Sequence, residues 1–140
     1  MGDDLAASNV NRSYSLAATS IAIFTFMLFF LYPRYQSGEV DALLFQATLI
    51  VMGVATFSFA FATFYFYGAS LGGRLGDAER ARYSRRGDRL WLLGNILLYL
   101  APGLILLAIG LRVVASAWLA LWLAYLLFVI RSFARVQTPP

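Results

Sequence analysis

Residues 68–89 read GASLGGRLGDAERARYSRRGDR, the only long polar stretch between two very apolar halves. Arg74, Arg80, Arg82, Arg85, Arg86 and Arg89 fall in it, against Asp77, Glu79 and Asp88. Within this loop Asp77 to Arg89 could form a short helix, with Asp77 and Glu79 near its start and Arg85 and Arg86 near its end as the helix dipole favours. The halves it separates are too apolar for water. The chain has 140 residues, 61% hydrophobic and 13% charged, whereas a soluble domain is about 45–50% apolar and about 25% charged. A soluble fold of this length could not hide so much apolar surface in its own core. The composition is that of a single small membrane domain, residues 1–140.

Working outward from residues 68–89, each half divides into two apolar runs. Residues 14–32 carry no charge and, at about 1.5 Å per residue, just cross a hydrocarbon core of about 30 Å. Pro33 is expected to end this segment, because proline disfavours helix at the residue before it and has no N–H to donate. Residues 1–13 are polar and expected to fray. Asp3 and Asp4 stand where a cleavable signal would be basic, so the first segment is expected to remain. Residues 42–67 are longer than the core is thick, which predicts tilt or protrusion. Phe57, Phe59 and Phe61 alternate as in a strand, but an open strand cannot satisfy its backbone in lipid, so helix is the reading.

Beyond residue 89, spans at 90–111 and 113–130 are separated only by Gly110, Arg112 and Ser116. One continuous helix would be about 60 Å long and would place Arg112 near its middle. A tight turn with Arg112 at the surface costs far less. The fold class is therefore an all-α integral membrane protein, four transmembrane helices forming two antiparallel hairpins. Trp118 and Trp122, one turn apart, fit as interfacial anchors. Residues 68–89, Arg12, Arg131 and Arg135 share one side of the membrane, leaving only Arg34 and Arg112 on the other. That bias predicts both termini in the cytoplasm.

Several chemistries are absent. The chain has no cysteine and no histidine, which removes disulfides, thiolate and imidazole metal sites, and histidine as general base. Every acidic residue lies in a loop or tail, and no nucleophile–base pair can be named. No catalytic residue, metal or cofactor is expected, and no enzyme. With no ionisable side chain firmly inside a span, a proton-coupled transporter or voltage sensor is disfavoured. There is no carbonyl-filter motif, and GASLGG is followed by no P-loop Lys-Ser/Thr, so it reads as a hinge. The net charge of +4 resides in loops and tails; it speaks for membrane orientation and against nucleic acid as a partner.

What remains are polar groups within the spans and arginines outside them. The first segment has a stripe of Ser15, Ala18, Thr19, Ala22 and Thr25; the second offers Thr48, Met52, Thr56, Ala60, Thr63 and Tyr67, with Gly53 beside them. The third carries Asn95, Tyr99 and Pro102, whose missing N–H should free the carbonyl of Leu98 and kink the helix. Such residues most often serve packing between helices, but they could also line a cavity. The leading functional reading is a homo-oligomeric channel or pore for ions or small solutes, lined by Thr56, Thr63, Asn95 and Tyr99 beside Pro102. The alternative is a non-catalytic anchor or assembly subunit, in which Arg80, Arg82, Arg85 and Arg86 bind a partner or anionic lipid headgroups at the cytoplasmic face. A lipid- or quinone-handling role for the second segment's phenylalanines, Tyr65 and Tyr67 is the third. The partners expected are lipid and either further copies or a membrane subunit. Arginine-only basicity and small size suggest a bacterial plasma membrane.

Overall fold

The computed structural model describes residues 2–71 and 76–136. Four helices account for nearly all of them: α1 (Gly2–Gln36), α2 (Ala42–Ser70), α3 (Asp77–Ala108) and α4 (Arg112–Val136). All four are long and apolar enough to cross a membrane, and the described residues contain no strand. This is a small multi-pass membrane protein.

Two boundaries differ from the sequence reading. α1 begins well before residue 14 and runs through Pro33 to Gln36. Leu5, Ala6 and Ala7 are strong helix formers, and a proline this close to a helix end removes one bond without preventing the next. The Ser37 N–H donates to the Pro33 carbonyl at 3.1 Å. The second difference is larger. Residues 77–89 are no short helix within a loop but the first turns of α3, continuous with its apolar part. Asp77 and Glu79 occupy the first turn, where negative charge suits the helix dipole. Gly72, Gly73 and Arg74 of the expected hinge and the Thr-Pro-Pro end of the tail lie outside the described residues.

The two short turns are built alike. Gly38 has φ +78° and Gly110 φ +83°, a left-handed conformation that glycine adopts without penalty. After α1, Gly38 N–H donates to Tyr35 and Glu39 N–H to Arg34; after α3, Gly110 N–H donates to Leu107 and Leu111 N–H to Leu106. Both are Schellman closures, which satisfy the last carbonyls of a helix. Asp41 then caps α2, its Oδ1 accepting from the Leu44 N–H at 2.9 Å. The Asp41 N–H donates to the Ala108 carbonyl at 3.0 Å, tying the first turn to the end of α3.

The helices pack in chain order: α1 on α2, α2 on α3, and α4 on α3 alone among the described residues. α2 buries Phe45, Thr48, Met52, Ala55, Phe59, Ala62, Phe66 and Ala69, spaced alternately by three and four. That is the 3.5-residue period of helices wound in a left-handed sense. Opposite it, α3 buries Gly87, Gly94, Ala101 and Ala108, every seventh residue. Large meets small at each level. Phe66 lies on Gly87, where an added Cβ would come within 2.8 Å of its ring, and Phe59 lies on Gly94 at the same 2.8 Å. Met52 clusters with Ala101 and Met27 of α1, and Phe45 with Ala108 and Val40. α1 contributes Ser13, Ala17, Ser20 and Met27 to the interior, flanked by Phe24 and Leu31.

Candidate functional site

The polar residues within the apolar segments each donate a hydrogen bond close to home. The Thr56 hydroxyl donates to the Met52 carbonyl at 2.9 Å and the Thr63 hydroxyl to Phe59 at 3.0 Å. The buried Asn95 donates through Nδ2 to the Trp91 carbonyl at 2.8 Å. Thr48, Ser58 and Ser20 follow the same pattern toward Leu44, Val54 and Leu16. Each is a bond to the carbonyl four residues earlier on its own helix, the local partner a Ser, Thr or Asn finds without help from a neighbour. Thr56 and Thr63 stay half-buried on α2, while Tyr99 lies on the opposite side of the packing, against α4.

There the chemistry is different. Trp118 Nε1 donates to the Tyr99 carbonyl at 2.8 Å and Trp122 Nε1 to the Ile96 carbonyl at 2.9 Å. These acceptors flank Leu98, the carbonyl that Pro102 deprives of its ordinary donor. Gly103 lets α4 close in: a Cβ there would be 2.8 Å from Leu119 and 3.2 Å from Trp118. Tyr99 and Tyr125 meet edge to face with centroids 5.3 Å apart. With Trp118, Leu121 and Trp122 they line an open groove of about 250 Å³. The two tryptophans are thus interhelical donors well inside α3's apolar part. Their one-turn spacing opposite a proline was the available signal.

Outside the apolar part, Arg82, Arg85, Arg86 and Arg89 stand exposed on the first turns of α3. Together they line a depression of about 150 Å³, and Arg82 and Arg86 border a second with Glu79 and Tyr83. Arg80 is half-buried one turn earlier and has a partner of its own. This stretch is held against α2. The Tyr83 ring covers Gly68, where a Cβ would approach to 2.9 Å, and it meets Tyr65 at 5.8 Å between centroids. At the same end, the Arg12 guanidinium sits 4.4 Å above the Trp91 ring, a cation–π contact that links α1 to α3. Ser13 Oγ and Trp91 Nε1 are buried there without a partner.

The stripe on α1 divides from the buried row. Ser13, Ala17 and Ser20 are buried, but Ser15, Ala18, Thr19, Ala22 and Thr25 all face outward. Only Thr19 has a hydroxyl bond there, to the Ser15 carbonyl at 2.9 Å. Of the second segment's phenylalanines, Phe57, Phe61 and Phe64 are exposed and Phe59 is the core residue over Gly94. Comparison of the chain with protein families, with curated proteins and with solved structures finds no match.

Proposed function

We propose that this protein is a non-catalytic assembly subunit of the membrane, acting through contact with other membrane helices. In this reading it forms two hairpins with both termini on the cytoplasmic, arginine-rich side. The supporting observation is the outward stripe of α1. Positions that meet lipid gain nothing from being small, whereas small and hydroxyl side chains let a second helix approach to van der Waals contact. Ser15, Ala18, Thr19, Ala22 and Thr25 present such a surface away from the rest of the chain.

Thr56, Thr63 and Asn95 each donate a hydrogen bond to their own helix yet keep an oxygen that can accept, so the assembly reading rests on the α1 stripe and not on their bonding.

The absence of cysteine makes the test direct. A22C introduced into the native chain should crosslink in membranes to a second copy or to one stoichiometric partner. Native mass spectrometry in nanodiscs should then show a discrete complex for the wild type that A18L/A22L reduces to the monomer. A monomeric wild type with no crosslink at residue 22 would overturn the proposal. Ion flux from liposomes that is abolished by Thr56→Leu or Asn95→Leu would restore the channel.

A further inference from the structure

The arginine face of α3 carries a second inference, independent of the assembly reading. In a loop, Arg82, Arg85, Arg86 and Arg89 would be scattered charges whose only consequence is orientation. They are instead set on a helix that α2 holds in place through Phe66 on Gly87 and Tyr83 on Gly68. Their i, i+3, i+4, i+7 spacing puts all four on one side within about 10 Å along the axis. Nothing but these four residues lines the depression between them. Glu79 borders the adjoining depression with Arg82, Tyr83 and Arg86 but does not line this one. Asp88, the acid nearest in sequence, is not part of the depression.

Their depth is equally specific. Leu90 starts the apolar run one residue after Arg89, and the headgroup layer occupies roughly 5–8 Å beyond each side of the hydrocarbon core. With the edge of the core set at Leu90, a rise of about 1.5 Å per residue along a helix near the membrane normal would put Arg89, Arg86 and Arg85 in that layer and Arg82 just above it. Guanidinium forks bind phosphate oxygens bidentately, with a geometry that ammonium groups do not reproduce.

We propose that the Arg82, Arg85, Arg86 and Arg89 face is a binding site for the phosphate of an anionic phospholipid headgroup. The occupant is lipid rather than free phosphate because the site opens where lipid phosphates are already concentrated.

The test uses the full chain in nanodiscs of equal phosphatidylcholine and phosphatidylglycerol, with retained lipid measured by native mass spectrometry. The wild type should retain phosphatidylglycerol preferentially. R82Q/R85Q/R86Q/R89Q should lower its apparent affinity by roughly tenfold or more. The fourfold Arg→Lys variant keeps the charge and therefore the membrane orientation, which cysteine labelling on either side of the membrane verifies. It should still lose several-fold in affinity, because the bidentate fork is gone. R34Q/R112Q should leave retention unchanged. No preference in the wild type, or wild-type retention in the lysine variant, would reduce the face to diffuse charge and overturn the proposal. Displacement of bound lipid by excess inorganic phosphate would reassign the site to free phosphate and likewise overturn it.

Discussion

α3 meets α2 and α4 by different means. On the α2 side, Phe66, Phe59, Met52 and Phe45 drop into Gly87, Gly94, Ala101 and Ala108 at one heptad per step. On the α4 side, two indole N–H groups cross to backbone carbonyls beside Pro102, and an open groove remains between the helices. Inside lipid the hydrophobic effect does not distinguish a helix neighbour from an acyl chain, so packing and hydrogen bonds must do it. The first seam relies on shape, through many dispersion contacts of about 0.1–0.2 kcal/mol each. The second relies on two directional bonds. A shape-based seam fails abruptly when one position is filled, whereas a hydrogen-bonded seam weakens one bond at a time.

The largest effect should therefore come from filling the first seam. Gly94→Leu places a side chain where even a Cβ would be 2.8 Å from Phe59. Phe59 is fully buried, so it cannot swing out to solvent or lipid without parting the helices. Overpacking of this kind costs about 1–3 kcal/mol or more; here it should separate α2 from α3 along their length, lowering the unfolding midpoint in mixed micelles more than any other single change. Phe59→Ala empties the same contact and should be the lesser lesion, since lipid or neighbouring side chains can partly fill the space. Combining the two restores large-on-small with the roles exchanged. The double variant should recover part of the stability that Gly94→Leu loses, a non-additivity that contacting residues show and distant ones do not. Strict additivity would mean that the two residues do not pack against each other.

Much of this fold was legible in the sequence, but the seams were not. Four apolar runs of spanning length, the break at Gly110, and the acids Asp77 and Glu79 at a helix start all announced their structures. Charge misled on the extent of that helix: a run of arginines reads as a short helix within a solvated loop, while Gly87 and Tyr83 carry the α2 contact straight through it. The heptad of Gly87, Gly94, Ala101 and Ala108 was visible as spacing, yet spacing does not reveal which helix supplies the large partner. The same limit applied to α1, where Ser13, Ala17 and Ser20 alternate with Ser15, Ala18 and Ala22 in a sequence small on both sides. Only packing decides which row turns inward. Pro33 misled because a proline's effect depends on how many bonds remain after it. Thr56, Thr63 and Asn95 were singled out as polar groups within the apolar segments. Their own-helix bonds depend on side-chain rotamers, which composition does not determine.

The smallest expected effect lies on the α4 side. Trp118→Phe/Trp122→Phe keeps aromatic bulk in the groove with Tyr99, Tyr125 and Leu121 but removes both indole donors. Interhelical hydrogen bonds in membranes are worth about 0.6–2 kcal/mol each, at the lower end when the freed acceptor finds another partner. The Ile96 and Tyr99 carbonyls belong to a helix whose own N–H groups remain nearby, so the lower figure applies. The global unfolding midpoint should shift only slightly. α4 should nevertheless loosen selectively, because α3 is its only partner among the described residues. Hydrogen exchange should rise along α4 and in the turn at Gly110, while α2 and the Gly87–Ala108 face of α3 stay as protected as in the wild type. Equal loss of protection in α2 would show that the two seams form one cooperative unit, and that the contrast between shape and hydrogen bonding does not divide the molecule.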